Sequence, residues 1–430
     1  MNYVAFPRLG EACWEGHTKS GLLVRVIPKK DFARSYGFLG INYGSIDTKF
    51  SLDGTGEIST PEGVAHYLEH KMFDLPDCNA MDLFSAKGGS PNAFTGYAMT
   101  AYYFDCTEYF EDNLRSLLRL VTEPYFTPDS VEKERGIIAQ EIRMYEDSPE
   151  SQVVEDLFRL LFAQHPMRVP IAGSVESIEE ITDQTLYECH RAFYRPENMM
   201  LCVVGDVDAQ KVFEIAEEGV ASREGQVPQQ LYGKPEEMLP VSARTERFMP
   251  VAMPTFAVGF KCEAPAGEED PMIREVVAEI SAEVLVGESS PLYMRLYEDG
   301  LIDGDFSVGY ESVKDACLFS AGGDSKDPDL VCEEILKEAQ RIGKEGVDEQ
   351  LFHRLLRSSF GRRMRDLDSF ESICYRMCAY YFDGVDYFSF PEAYERVTPE
   401  DVRAFIERTV RRERMALAVI LPTEREDVYV

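Results

Sequence analysis

The sequence has little positive charge and no long hydrophobic run. Its 430 residues include 44 Lys and Arg against 77 Asp and Glu, so the formal net charge is -33. Such an acidic chain repels the phosphates of nucleic acid and of anionic membrane surfaces. No apolar run approaches the roughly 18 residues that a membrane-spanning helix needs. We therefore expect neither nucleic acid nor a membrane as a partner.

Signals for secretion and for disulfide bonding are also missing. Ten cysteines spread through the chain do not resemble the dense pattern of a small disulfide scaffold. The N-terminal segment lacks the basic and then apolar order of a signal peptide. We expect a cytoplasmic protein with free thiols. Cys374 and Cys378, four residues apart in a predicted helix, are expected to be buried thiols rather than a metal or redox pair.

The length and the hydrophobic content, 44%, favour two or more domains with sizeable cores. Strand-like segments, among them 22–27, 34–43, 99–106 and 199–204, alternate with helical patterns, which is typical of mixed α and β structure. The polar, proline-bearing segment 223–241 is the best candidate for a linker. The order of predicted elements after it resembles the order before it. The sequence therefore predicts a structural duplication, with halves at 1–222 and 242–430.

The segment GVAHYLEHKMF, residues 63–73, carries the most specific chemical signal. On a helix, His66 and His70 are four residues apart, so their rings share a face and can bind one metal ion. Glu69 projects to the same side. A chance His-x-x-acid-His occurs in roughly one chain in 70 of this composition, which favours a metal site. A catalytic zinc site needs three protein ligands, so one ligand must come from elsewhere.

The predicted helix in VEKERGIIAQEIRMYEDSP, residues 131–149, offers candidates for the third ligand. Glu134 and Glu141 are seven residues apart, which places them almost in line along one face. Because Ile137 and Ile138 lie between them, part of this face is expected to be buried. A buried carboxylate is unfavourable unless it is paired or bound to metal. Glu141 as a ligand, supported by Glu134, would remove that penalty.

Other motifs have plainer interpretations. His17, His190 and His353 lack a carboxylate or cysteine at ligand spacing, and His165 in QHPMR is expected to be structural. The glycines of KGGSP do not have the spacing of a phosphate-binding loop. SPNAFT taken alone predicts a turn that enters a strand.

HYLEH, followed 71 residues after His70 by Glu141, resembles the inverzincin signature of the pitrilysin/insulinase family of zinc metallopeptidases. SPNAFTGYAMTAYYF, HPMRVPIAGSVESIEEI and YRPENMMLCVVGDVD extend the likeness over about the first 210 residues, in family order. The likeness is closest to the bacterial YmfH-type subgroup and is looser in the second half. It implies an α+β fold of two homologous LuxS/mitochondrial-processing-peptidase-like halves, each a mostly antiparallel sheet packed with helices.

The resemblance also implies roles for individual residues. His66, His70 and Glu141 would hold one Zn²⁺ per chain, and Glu69 would be the general base. Glu134 would be an outer-shell carboxylate.

Asn92, Ala93 and Phe94 match the family's edge strand. On that strand a peptide substrate lies as an added β-strand. This binding mode recognises the extended backbone of the substrate and does not require a strict substrate sequence.

The second half departs from the family pattern. Active members carry an Arg and a Tyr, seven residues apart, after a turn with paired serines, and these help to hold the substrate carbonyl. When the Ser289–Ser290 turn of GESSPLYMRLYEDGLIDGDF is aligned with the family's paired serines, Tyr297 stands at the Arg position and a residue near Asp303 at the Tyr position. Arg295 is two residues away, which turns it about 200° around a helix.

We therefore expect a zinc-dependent endopeptidase for peptides or unfolded segments. A homologous partner chain without the HxxEH motif would supply the Arg/Tyr clamp in a heterodimer. A homodimer remains open, although it would lack the pair on both sides. The alternative is a non-catalytic scaffold or assembly subunit, which the missing pair favours and the presence of Glu69 opposes. A thioether lyase similar to LuxS is disfavoured, because its third ligand is a cysteine and the predicted helix 129–145 has none.

Overall fold

A computed structural model describes residues 1–52, 56–265, 267 and 269–423. The chain forms two compact units, and neither is continuous in sequence. The first unit comprises Met1–Ile142, Pro170–Tyr232 and Arg363–Phe388, and the second comprises Arg143–Val169, Gly233–Arg362 and Ser389–Val430. Each unit therefore contains a segment from the other predicted half. In the described part of the chain, no helix is both long and apolar enough to cross a bilayer.

The strands are, in chain order, β1 (Asn2–Phe6), β2 (Glu11–His17), β3 (Leu23–Pro28), β4 (Ser35–Ile41), β5 (Lys49–Ser51), β6 (Glu57–Ser59), β7 (Ser90–Thr95), β8 (Thr100–Cys106), β9 (Met199–Gly205), β10 (Gln229–Gln230), β11 (Arg244–Met249), β12 (Thr255–Cys262), β13 (Ser307–Val313), β14 (Ala316–Asp324) and β15 (Met415–Pro422).

The α-helices are α1 (Val64–Met72), α2 (Ala80–Ser85), α3 (Phe110–Thr122), α4 (Pro128–Glu146), α5 (Pro149–Leu161), α6 (Val175–Glu179), α7 (Asp183–Phe193), α8 (Ala209–Gly219), α9 (Pro271–Val286), α10 (Pro291–Glu298), α11 (Pro328–Glu345), α12 (Glu349–Asp366), α13 (Phe370–Phe382), α14 (Phe390–Arg396) and α15 (Pro399–Thr409). Short 3₁₀ turns lie at Pro166–Arg168, Pro196–Asn198, Tyr387–Ser389 and Arg412–Arg414.

The first unit is built on a seven-stranded sheet in the order β1-β2-β3-β9-β4-β8-β7. Only β3 and β9 run parallel, and the other neighbours are antiparallel. β4 and β9 are buried along their whole length, which explains why β9, MMLCVVG, has an unbroken apolar run. β7 is an edge strand, which among the described residues pairs only with β8. A small sheet, β10-β5-β6, belongs to the same unit.

Helix α13 packs on β4 and β9 of this sheet. The Cys374 thiol lies 3.7 Å from the carbonyl oxygen of Cys202, and the Cys378 thiol lies 3.8 Å from that of Met200. Both cysteines are free and fully buried, so the prediction of buried thiols is confirmed. A helix from the second half of the sequence thus covers one face of the sheet.

The second unit has a five-stranded sheet in the order β11-β15-β12-β14-β13. β11 and β15 are parallel, and the other pairs are antiparallel. Helix α5 packs on β12 and β15. The approach is close at Gly259, where an added Cβ would lie 2.8 Å from Leu161 and 3.0 Å from Leu157. The predicted fold class, mixed α and β with two mostly antiparallel sheets, is confirmed.

The segment predicted to be a linker, 223–241, is anchored at two places within its length. Gln229–Gln230 forms β10 and pairs with β5 in the first unit. In the second unit, the Glu236 carboxylate accepts hydrogen bonds from the backbone N–H groups of residues 163–165 at 2.6–3.1 Å and from Lys261 Nζ at 3.1 Å. Burial alone would raise the pKa of Glu236, but these donors outweigh burial and lower it to about 2. The predicted homologous halves, 1–222 and 242–430, do not coincide with the two compact units, and the duplication stays a prediction.

Candidate metal centre

Helix α1 begins where only glycine fits. Gly63, its N-cap, has φ 85°, and a Cβ there would lie 2.3 Å from the carbonyl oxygen of Ala172. The helix is buried almost all round, with His70 the least covered of its residues. Neighbouring elements of the first unit pack against it, namely β7, β8 and α7. The motif is thus held on a short helix inside the first unit's core.

Three predicted ligands come together. His66 Nε2 lies 3.5 Å from Glu141 Oε1, and His70 Nε2 lies 3.5 Å from Glu141 Oε2. The three ligand atoms are all within 4.8 Å of one another. A tetrahedral zinc ion with bonds of about 2.1 Å separates its ligand atoms by about 3.4 Å, so the spacing and the donor types both fit.

Glu134 is outside this group of three ligands and contacts one of them, His70. Its Oε1 atom is 3.0 Å from His70 Nδ1, which leaves Nε2 directed at Glu141. Burial disfavours a charged ring at His70, but the bond to Glu134 and the negative charges of Glu69 and Glu141 outweigh it and raise the pKa of His70. Such carboxylate–histidine pairs orient metal-binding imidazoles. His66 Nδ1, by contrast, is buried with no hydrogen-bond partner among the described residues.

Glu69 is buried, with 8% of its surface exposed. Its Oε2 atom accepts a hydrogen bond from Thr95 Oγ1 at 2.7 Å. Burial raises the pKa of Glu69, although the Thr95 hydroxyl and the two histidines act in the opposite direction. A base with a raised pKa binds a proton more readily at neutral pH. Sequence reasoning missed Thr95, whose only signal was its position two residues after Ala93.

The predicted substrate segment lies in edge strand β7. Asn92, Ala93 and Phe94 pair with Tyr103, Tyr102 and Ala101 of β8. No strand in the described ranges pairs with the other side of β7. Since side chains alternate along a strand, Ala93 shares the face of Thr95, which bonds to Glu69.

Phe94 points to the opposite face of the sheet from Thr95. Its ring lies 5.8 Å from that of Tyr375 on α13 and 6.3 Å from that of Tyr103. Tyr375 is 46% exposed. An aromatic surface therefore borders the free edge of β7 on the α13 side.

The second-half segment aligned with the family's Arg/Tyr pair includes α10, which carries Tyr297 and ends at Glu298, before Asp303. Ser290 caps this helix by accepting a hydrogen bond from the Tyr293 N–H group at 3.1 Å. Arg295 forms an ion pair with Glu334 of α11, at 3.0 Å. Tyr297 is half exposed and stacks on Tyr293, with ring centroids 6.2 Å apart. Arg295 is thus engaged within its own unit.

Other predicted features have structural contacts. His190 Nε2 lies 2.9 Å from the carbonyl oxygen of Val121, and burial lowers the pKa of His190 to about 3. His165 Nδ1 accepts a hydrogen bond from the Met167 N–H group at 3.2 Å. On α4, Ile138 is fully buried as expected, but Ile137 is 51% exposed because it lies on the outer side of the helix.

Comparison with known proteins places the chain in one family. The family profile "Insulinase (Peptidase family M16)" matches residues 56–174, and the profile "Peptidase M16 inactive domain" matches residues 180–359. The chain is 35% identical over 427 residues to the "Uncharacterized zinc protease YmfH" of Bacillus subtilis (strain 168), covering 97% of this chain and 99% of that protein.

Solved structures agree. An M16-like peptidase from Alicyclobacillus acidocaldarius is 30% identical with a TM-score of 0.92, covering 96% of this chain and 99% of that one. Pitrilysin shares the fold, with a TM-score of 0.73 at 16% identity over 95% of this chain and 45% of its own. The resemblance inferred from the sequence is confirmed. The chain belongs to the insulinase family, peptidase family M16.

Proposed function

We propose that the chain is a zinc-dependent endopeptidase that hydrolyses peptides or unfolded protein segments. One observation carries the proposal: the donor atoms of His66, His70 and Glu141 converge, and the buried carboxylate of Glu69 lies on the same helix as the two histidines. A structural metal site needs no such carboxylate. The names of its relatives as zinc proteases support the choice of metal.

Bound zinc would act as a Lewis acid and lower the pKa of a water molecule. His66, His70 and Glu141 would hold the ion. Glu134, by accepting a hydrogen bond from His70 Nδ1–H, would keep the Nε2 lone pair available for it. Glu69 would take a proton from the attacking water and pass it to the leaving nitrogen as the C–N bond breaks.

The substrate would bind along β7 as an added strand, through the backbone of Asn92, Ala93 and Phe94. The free edge of that strand supports this mode. Successive substrate side chains would then alternate between the α1 face and the aromatic surface of Phe94 and Tyr375. Backbone pairing would make the enzyme tolerant of sequence.

A second chain would complete the site. The ion pair of Arg295 with Glu334 supports the view that this chain supplies no free arginine from α10. We propose a heterodimer with a homologous chain that lacks the HxxEH motif and carries the Arg/Tyr pair, while a homodimer is the alternative. All ten cysteines are free, which supports a reducing, cytoplasmic setting.

The purified chain and its Glu69→Gln variant, incubated with a mixed peptide library, test the activity. Gln is nearly isosteric with Glu but cannot act as the base. Because residue 69 is not a candidate ligand, the zinc content of the two samples should be equal. Cleavage by the wild type alone would establish a self-sufficient peptidase and refute the need for a partner. Cleavage by both would refute the role of Glu69.

If neither sample cleaves while both bind zinc, the homologous chain is added. Cleavage by the wild-type mixture and not by the Glu69→Gln mixture would establish the heterodimer. No cleavage by either mixture would favour the scaffold role, which the absence of an Arg and a Tyr at the two aligned positions, Tyr297 and near Asp303, also favours.

A further inference from the structure

Helix α1 carries a second pair of polar residues beside its two histidines. Tyr67 and Lys71 are also four residues apart, and each lies one position, about 100°, further around the helix than His66 and His70. They therefore form a stripe parallel to the histidine stripe. Both are fully buried, with at most 1% of their surface exposed.

This second stripe binds the start of α4. The Tyr67 hydroxyl donates a hydrogen bond to the carbonyl oxygen of Val131. Lys71 Nζ donates to the carbonyl oxygen of Ser130 at 3.2 Å. Both carbonyls belong to the first turn of α4, the helix that carries Glu134 and Glu141. Two helices thus meet twice, once through the candidate metal ligands and once through these bonds.

Fold stability does not account for a lysine at position 71. A buried ammonium group is costly even when it is paired, and an apolar side chain of similar length in such a place is often as stabilising. Lys71 also forms an ion pair with Asp74, whose side chain is 39% exposed. Without the lysine, Asp74 would return to water at little cost. An apolar side chain could not donate the hydrogen bond that Lys71 Nζ makes to the carbonyl oxygen of Ser130.

We infer that Tyr67 and Lys71 are positioning residues that set the metal affinity of the site by fixing α4 against α1. The inference rests on the proposed zinc centre. Ser130 lies one turn before Glu134 and three turns before Glu141, so any slide or rotation of α4 moves both carboxylates together. Ligand distances in a zinc site tolerate only about 0.2 Å. A small error in the register of the two helices therefore weakens metal binding without unfolding the chain.

Zinc affinity of the purified full chain, measured by competition with a chelator of known affinity, tests the inference. We expect Lys71→Met and Tyr67→Phe each to weaken Zn²⁺ binding about tenfold, the lower end of what the loss of groups that orient metal ligands costs. The visible absorption of the Co²⁺-loaded protein should also change, because it reports on ligand geometry.

Lys261→Met is the matched control. Lys261 is equally buried and also binds one carboxylate, Glu236 at 3.1 Å, and one backbone carbonyl, Glu237 at 2.7 Å, but it lies in the second unit. Its removal should leave the zinc affinity and the Co²⁺ spectrum unchanged.

Equal affinity in the wild type, Lys71→Met and Tyr67→Phe would overturn the inference, as would an equal loss in Lys261→Met. If Lys71→Met does not fold, Tyr67→Phe decides alone, because it keeps the ring in the core. A wild-type chain that binds no zinc would overturn the proposed function as well, and this result differs from equal, tight binding by all variants.

Discussion

Glu134 offers a sharp test of the metal centre, because its contact with His70 can be weakened without touching a ligand. Its carboxylate lies 3.0 Å from His70 Nδ1 and is 20% exposed. Glu134→Gln keeps the shape of the side chain and an oxygen acceptor but removes the charge. Glu134→Ala removes both.

The expected losses follow from what the carboxylate does. Loss of an outer-shell partner lowers metal affinity about 10–100-fold. The glutamine variant still accepts a hydrogen bond, so we expect about a tenfold loss, equivalent to about 1.4 kcal/mol. The alanine variant leaves the His70 N–H group with no acceptor, and we expect about a hundredfold loss, or about 2.8 kcal/mol.

Chelator competition on the purified chain measures these affinities directly and needs no substrate. Glu132→Gln is the control for the change in net charge. Glu132 is on the same helix, two residues away, with a side chain that is 71% exposed. Two residues correspond to about 200° around the helix, so Glu132 faces away from His70. We expect its substitution to change zinc affinity less than about twofold.

Two results would refute the reasoning. If Glu134→Ala binds zinc as tightly as the wild type, the contact with His70 does not orient a ligand. If Glu132→Gln weakens binding as much as Glu134→Gln, the effect comes from net charge and not from the contact.

Two further predictions concern other contacts. Thr95→Val should lower kcat at least about tenfold with little change in KM, because it removes the hydrogen bond from the Thr95 hydroxyl to Glu69, and a hydrogen bond to a charged group contributes about 1.5–3 kcal/mol. Thr95→Ser keeps the hydroxyl and should keep the activity. Equal losses in both variants would contradict the role of the hydroxyl. Glu236→Gln should lower the free energy of unfolding at pH 7 by about 1.5 kcal/mol, since the shift of its pKa from 4.5 to about 2 corresponds to about 3 kcal/mol at most and solvent screening reduces it. Because the folded pKa is depressed, the stabilisation by Glu236 is complete above pH 4.5 and is lost as the pH falls toward 2. Denaturant unfolding should therefore show a smaller difference in the free energy of unfolding between wild type and Glu236→Gln at pH 3 than at pH 7. An equal difference at the two pH values would contradict this role of Glu236.

The sequence predicted those parts of the first unit that depend on local pattern. The helix expected at 63–73 is α1, Val64–Met72, and the strand expected at 199–204 is β9, Met199–Gly205. Both are signalled by short-range periodicity or by an unbroken apolar run. The His-x-x-Glu-His spacing likewise needs only one turn of helix to bring its side chains to one face.

Contacts between distant elements were out of reach of the pattern. Periodicity shows that α5 and α13 have an apolar face, but not which sheet covers it, and each packs in the unit of the opposite sequence half. The bond from Thr95 to Glu69 and the bond from Lys71 to Ser130 join elements 26 and 59 residues apart. Such pairs depend on strand order and helix register, which one sequence does not encode in its local spacing.

This difference separates the candidate centre, which spacing can indicate, from the contacts of Tyr67 and Lys71, which it cannot. The candidate ligands and Glu69 come from only two helices, α1 and α4, and residue type together with spacing identifies them. If the centre binds zinc as proposed, we expect its affinity and geometry to depend on how these helices meet, through Glu134 on one side and through Tyr67 and Lys71 on the other. None of these three is a candidate ligand, yet each constrains a helix that carries one. We therefore expect substitutions beside this site to change metal affinity more than the stability of the fold.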